Sequence, residues 1–233
     1  MGGARNLQTE TKSRRRPLST AAAPNKLWNK IAPEYHMHMR QSGYYAAQYK
    51  LMKKLRAHVG GRILEVGCGC GEVAKYILAN PNKSFDSYLG LDTSEAMIGL
   101  ATRNIEDFAL LTKRGNKPHK FEVGKSPTLP NRFDTVMAFN SFCYLNVPEF
   151  LTQAAQITTG FGKLIIGEED PVMQGFMAQE ANLAAALRKR VLIRLSEIRK
   201  IVEAGHFTFE CEYHVPIDEK HELIGIVFGK RGT

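Results

Sequence analysis

Three glycines spaced two apart, Gly67, Gly69 and Gly71, follow directly on the apolar run Ile63-Leu64-Glu65-Val66. The run is too short for a helix and stops at glycine, so it reads as a buried strand. From Glu72 the pattern turns helical, with Val73, Ala74, Ile77 and Leu78 on one face. Strand, glycine loop and helix make the opening βα unit of a doubly wound α/β sheet. Such a loop admits a ligand to the backbone with no Cβ in the way.

The spacing narrows the ligand. A dinucleotide loop would read G-x-G-x-x-G and present a helix N-terminus to a pyrophosphate. Here it reads G-x-G-x-G, and Glu65 stands in the strand just before it. A carboxylate there repels pyrophosphate and suits a ligand carrying an ammonium group. The next strand, Tyr88-Leu89-Gly90-Leu91-Asp92, ends on an acid about 20 residues after the last glycine, where a carboxylate accepts from ribose hydroxyls. A Rossmann oxidoreductase with a variant loop is the competing reading.

The order Glu65-x-Gly67-x-Gly69-x-Gly71, then Asp92, resembles the class I S-adenosylmethionine-dependent methyltransferases of the small-molecule type, from about Trp28 to Lys230. The resemblance implies a mostly parallel seven-stranded sheet with a C-terminal antiparallel hairpin, under an N-terminal helical lid at 25–58. It implies S-adenosylmethionine as cofactor and S-adenosylhomocysteine as product. Glu65 would serve the methionine amino end, and Asp92 the ribose. Gly67, Cys68, Gly69, Gly71, Thr93 and Asn140 complete the cofactor set, with Met97 packing on adenine. Trp28-Asn29-Lys30-Ile31-Ala32-Pro33-Glu34-Tyr35 is similar to the family's aromatic-x-x-Ile-Ala-x-x-Tyr opening motif, whose tyrosine lies near the sulfonium. Gly124-Lys125-Ser126 departs from the family's Gly-Asp-Ala, whose acid binds the adenine amino group. Lysine cannot accept from an amino group, so adenine recognition falls to Ser126, nearby backbone or apolar packing.

Along the rest of the chain, Trp28, Ile31 and Tyr35 share a helix face that Pro33 interrupts, and a second helix runs from Tyr44 to Leu55. Thr93-Ser94 caps a helix over Glu95–Asn104. Further strands are expected at 121–123, 132–139 and 162–167, with a helix at 148–159, a long helical region at 172–204, and a hairpin of 208–215 with 222–229. The hairpin is a feature that an ordinary dehydrogenase sheet lacks.

The 233 residues suffice for one α/β domain. No apolar run reaches membrane-span length, and the start has no signal-peptide core. Of the net +9 charge, much sits in residues 1–24 and just beyond, where Arg5, Lys12, Arg14, Arg15, Arg16 and Lys26 oppose Glu10 alone. This segment reads as a disordered basic tail ahead of a domain at 25–233, with an organellar transit peptide as the alternative. Cys68-x-Cys70 lacks zinc or redox spacing, and Cys70, Cys143 and Cys211 show no histidine partner pattern. All four read as thiols in a reducing, cytoplasmic setting, with no metal site.

Methyl transfer from a sulfonium needs alignment first, and a base only where the acceptor must lose a proton. Tyr35, His36 and Tyr144 are the catalytic candidates, with His38 and Glu169 also placed to reach the acceptor. Positions two apart on a helix diverge, so at most one of His36 and His38 enters the pocket. After the fourth strand stands Asn140-Ser141-Phe142-Cys143, not the Asn/Asp-Pro-Pro loop of base or glutamine methylation. A small-molecule acceptor methylated at nitrogen or oxygen fits better than nucleic acid. A methyltransferase of RNA or protein, and a non-catalytic partner subunit, are the alternatives.

Overall fold

The computed structural model describes residues 25–79, 85–112, 117–125, 132–169 and 195–232. The tail 1–24, the loop at 113–116, Ser126 and most of the helical region expected at 172–204 lie outside the described residues.

Helices α1 (Asn25–Gln41) and α2 (Tyr44–Leu55) precede the sheet. The core units follow in order: β1 (Gly61–Val66), α3 (Glu72–Ala79), β2 (Phe85–Asp92), α4 (Glu95–Thr112), β3 (His119–Val123) and β4 (Phe133–Phe139). Then come a 3-10 turn at Phe142–Tyr144, α5 (Val147–Ile157), β5 (Thr158–Glu169), α6 (Leu195–Glu203), β6 (Phe207–Pro216) and β7 (Glu222–Lys230). The seven strands lie in the order β3-β2-β1-β4-β5-β7-β6. The first five pair in parallel, while β7 runs antiparallel to both β5 and β6. The strand order reverses between β1 and β4, which places the ligand crevice at their carboxyl ends.

Alternation along the strands divides the core in two, because successive strand residues point to opposite faces. Ile63, Met137, Ile165 and Val227 pack with α1 to α4. Leu64, Val136, Leu164 and Phe228 pack with α5 and α6. The sheet is therefore covered on both faces, as parallel strands require.

Several boundaries differ from expectation. Pro33 does not interrupt the first helix but lies inside α1. It removes one N–H from the helical ladder. Burial of Ile31, Ala32 and Met39 carries the helix across that gap. Helix α4 continues past Asn104 to Thr112, with Ile105 in the core. Helix α5 stops at Ile157 and β5 starts at once, because Thr158 already pairs with Phe133.

Phe228 lies in β7, fully buried, with its ring centroid 6.3 Å from that of Phe209. Phe228→Ala should destabilise the fold by about 3–5 kcal/mol, read as a lower urea midpoint at unchanged slope.

Candidate active site

The glycine loop takes its shape from three left-handed residues: Gly67 at φ 73°, Gly69 at 52° and Gly71 at 80°. Leu91 at the end of β2 pins the loop, its carbonyl accepting from Gly67 N–H at 2.7 Å and Cys68 N–H at 2.9 Å. A Cβ on Gly67 would come within 2.3 Å of Ser141 Cβ, whose own hydroxyl donates to Val66 O at 2.7 Å. One on Gly71 would meet Ala101 of α4 at 3.1 Å. Gly69 differs, since nothing lies within 4 Å of a Cβ there. Gly67 and Gly71 thus serve close packing, and Gly69 leaves its backbone open to a ligand.

Asp92 frames that opening. Its Oδ2 accepts from Gly69 N–H at 3.0 Å and its Oδ1 from Ser94 N–H at 2.8 Å. A carboxylate has about four acceptor sites, so capacity remains for a hydroxyl donor. Burial raises the Asp92 pKa, and the backbone donors at Ser94, Gly69 and Thr93 oppose that rise. Ser94 caps α4 by accepting from Met97 N–H at 3.2 Å. Its own hydroxyl donates to Asn29 Oδ1 at 2.6 Å, tying the lid to the start of α4.

Glu65 is buried behind the loop and accepts a short hydrogen bond from the Tyr88 hydroxyl. Burial pushes its pKa up to about 8; the Tyr88 hydrogen bond opposes this and the Asp92 charge adds to it. Cys68 is also buried, and its Sγ would sit 3.0 Å from a Cβ on Gly90. Met97 is buried in the core beside the loop, and Thr93 is half-buried next to Asp92. Lys125 is exposed. Ser126 lies outside the described residues.

Across the carboxyl ends of β4 and β5 the lid closes a cleft lined by Trp28, Tyr35, Tyr44, Asn140, Cys143, Tyr144, Glu168 and Glu169. Tyr35 and Tyr144 stand nearly perpendicular to Trp28, with centroids at 5.3 and 5.5 Å. Asn140 has φ 51°, a left-handed position that asparagine tolerates better than most residues. It is held by its N–H on Gly167 O at 2.7 Å and by the Tyr44 hydroxyl donating to its Oδ1 at 2.5 Å.

The structure therefore gathers Tyr35, Tyr144, Asn140 and Glu169, but not His36. The His36 ring turns toward the loop, with Nδ1 3.2 Å from both Tyr45 Oη and Cys70 Sγ. Those two atoms are themselves 2.9 Å apart. Burial lowers the His36 pKa, with the Glu72 charge opposing. It also raises the Cys70 thiol to about 12. So Cys70 does have a histidine neighbour, contrary to expectation, and so does Cys211, whose Sγ is 3.6 Å from His58 Nε2. Sequence reasoning also missed Trp28 as the hub of the cleft, Tyr88 as the partner of Glu65, and Tyr44 as the brace on Asn140. Only Trp28 carried a signal, as the sole tryptophan of the chain within the opening motif.

Residues 64–163 match the family model for a methyltransferase domain. No curated protein matches the sequence. Among solved structures, the chain is similar to a Thermotoga maritima S-adenosylmethionine-dependent methyltransferase described as a "possible histamine N-methyltransferase". That likeness has 16% identity and TM-score 0.65, covering 90% of this chain and 100% of the other. It is similar to magnesium protoporphyrin IX methyltransferase of Synechocystis PCC 6803 with bound S-adenosylhomocysteine, at 15% identity and TM-score 0.64, covering 89% and 100%. The plantazolicin methyltransferase BpumL, also solved with S-adenosylhomocysteine, follows at 13% identity and TM-score 0.63, covering 89% and 95%. Residues 64–163 thus carry a methyltransferase-domain match, and the chain shares its fold with these S-adenosylmethionine-dependent methyltransferases. The Synechocystis enzyme has been solved with S-adenosylmethionine as well as with S-adenosylhomocysteine. No helix among the described residues is long and apolar enough to cross a membrane.

The two loop glycines should separate in their effects. Gly67→Ala should destabilise the fold by about 2–4 kcal/mol, through φ strain and the Ser141 overlap. Gly69→Ala should lose only about 1 kcal/mol of stability yet weaken S-adenosylmethionine binding. Paired denaturation and calorimetry read both.

Glu65 gives a pH signature. In the fold it keeps its proton to about pH 8, against an ordinary value of 4.5. Between those values the unfolded chain has lost a proton that the fold retains, so this residue's contribution falls as pH rises. In the cofactor-free protein, the melting temperature of Glu65→Gln relative to the parent should move in the variant's favour from about pH 5 to about pH 8.5. A difference independent of pH would place the Glu65 proton elsewhere.

Proposed function

We propose that this protein transfers the methyl group of S-adenosylmethionine to a nitrogen or oxygen of a small-molecule acceptor bound in the lid cleft. The observation that carries the reading is the adjacency of two features. The glycine loop framed by Asp92 packs at Gly67 against Ser141, the neighbour of Asn140 in a lidded aromatic cleft at the carboxyl ends of β4 and β5. The printed substrates of similar structures, magnesium protoporphyrin IX and plantazolicin, point the same way. A covered cleft with aromatic walls suits a compact acceptor with an apolar body better than a nucleic-acid strand.

Bound S-adenosylmethionine supplies an activated methyl group on a sulfonium. In this reading Asp92 takes the ribose hydroxyls, Glu65 the ammonium end, and the backbone from Gly67 to Gly71 the length of the molecule. Cys68, Thr93, Met97, Ser126 and Asn140 complete the cofactor surround. Tyr35 and Tyr144 orient the acceptor against Trp28 and keep water out. His36 is better placed to steady the loop through Cys70 and Tyr45 than to act as the base. The working domain runs from 25 to 233 with its lid at 25–58, and the basic segment 1–24 is dispensable. Four free cysteines suit a cytoplasmic setting.

Asp92→Ala should weaken S-adenosylmethionine binding by about 2–4 kcal/mol in calorimetry, since charge-assisted hydrogen bonds are lost. Unchanged affinity would contradict the ribose assignment. Incubating the protein with labelled methyl donor and a metabolite extract should yield a labelled small molecule. Label confined to RNA or protein would overturn the acceptor class.

A further inference from the structure

Asn29 stands beside Trp28 near the start of α1, yet its side chain reaches α4. Its Oδ1 accepts from the Ser94 hydroxyl at 2.6 Å and from Ala96 N–H at 3.2 Å. Ala96 is the second residue of α4, where the helix itself offers no acceptor for a backbone N–H. Ser94 Oγ takes the next N–H, that of Met97, at 3.2 Å. The cap of α4 is thus shared: one acceptor comes from the residue before the helix, the other from the lid.

The same cap touches the loop frame. Ser94 N–H donates to Asp92 Oδ1 at 2.8 Å, and Asp92 Oδ2 receives Gly69 N–H at 3.0 Å. A continuous line of hydrogen bonds therefore joins Gly69, Asp92, Ser94 and Asn29. Adjacent residues on a helix diverge by about 100°. So Asn29 grips α4 while Trp28 lines the cleft, where its ring meets those of Tyr35 and Tyr144. Ser94 is fully buried, whereas Asn29 is exposed, so truncating Asn29 opens no cavity in the core.

We infer that Asn29 is a positioning residue for methyl transfer, fixing the Trp28 wall of the acceptor cleft to the Asp92 frame that holds the donor. The inference rests on the methyltransferase reading above and adds to it a residue that touches neither substrate. In-line attack on the methyl carbon tolerates little error in the place of the acceptor atom, so a small shift of one wall lowers turnover. Without the Asn29 carbonyl, the start of α1 loses its hold on α4, and Trp28 moves relative to the frame. Asp92 keeps its bonds to Gly69 and Ser94, so the donor is held as before. Turnover and donor affinity, which a residue serving only the fold would move together, are thereby separated.

The test compares Asn29→Ala and Asn29→Asp with the parent, all as the full chain. Aspartate keeps an acceptor oxygen in the same place, and a negative charge suits a helix N-terminus. Turnover is read as label passed from saturating S-adenosylmethionine to a metabolite extract, and donor-site affinity by calorimetry with S-adenosylhomocysteine. Trp28 is the sole tryptophan of the chain, so acrylamide quenching of its fluorescence reads the wall directly. Asn29→Ala should slow label transfer at least about tenfold while S-adenosylhomocysteine affinity stays within about threefold. Its Trp28 should be quenched at least about twofold more strongly than in the parent. Asn29→Asp should return both turnover and quenching to within about twofold of the parent. Parental turnover or parental quenching in Asn29→Ala overturns the inference, as does an aspartate variant no better than the alanine. So does S-adenosylhomocysteine affinity that falls in step with turnover. A melting temperature of Asn29→Ala more than about 10 °C below the parent would also overturn it, by assigning Asn29 to the fold. A parent that binds no S-adenosylhomocysteine, or passes no label to a small molecule, would instead sink the methyltransferase reading itself.

Discussion

The Asp92 carboxylate is the joint on which the site depends. It ends β2, receives Gly69 N–H from the loop after β1, and receives Ser94 N–H from the start of α4. Three separate segments are thereby held in one frame around an acid that keeps further acceptor capacity. The surrounding packing serves that frame. Gly67 admits Ser141 from the end of β4, Gly71 admits Ala101 of α4, and Leu91 O anchors two loop amides. Each contact fixes backbone, so the loop is organised before any ligand arrives. Preorganisation of this kind reduces the ordering free energy that binding would otherwise have to supply.

The lid is tethered to the same frame from two sides. Asn29 accepts from Ser94, the residue that caps α4 beside Asp92. His36 and Tyr45 reach Cys70 between the last two loop glycines. A change in loop geometry on ligand binding would therefore be felt by α1 and α2, which also carry Trp28, Tyr35 and Tyr44 into the cleft. The left-handed Asn140, braced by Tyr44, stands where lid and sheet meet. Backbone in such a sparsely populated region concentrates at functional sites when its surroundings hold it there. Loop, lid and cleft form one connected unit rather than three neighbouring features.

What the sequence revealed follows from the range of the interactions involved. The glycine spacing, the acid ending β2 and the C-terminal hairpin are local patterns, and a reader of residues sees them directly. The Ser94 cap is equally local, with its acceptor and donor three positions apart. The helix across Pro33 was not legible, because its support comes from burial of Ile31, Ala32 and Met39, which exceeds the effect of one missing N–H. The turning of His36 toward Cys70 links positions 34 apart, and Tyr44 reaches Asn140 across 96. No spacing rule connects such pairs; the topology alone brings them together. Glu65 was legible as an acid near the loop, but its burial against Tyr88 depended on the β1–β2 register, which sets Tyr88 opposite Ile63.

The central claim is that one loop and one lid position a methyl donor and its acceptor face to face. A crystal structure of the protein with bound S-adenosylhomocysteine tests this most directly. The account requires the ribose hydroxyls on Asp92, the backbone of Gly69 against the ligand, and the sulfur directed at the cleft between Trp28, Tyr144 and Glu169. A ligand seated away from Asp92, or a sulfur turned away from that cleft, would contradict it.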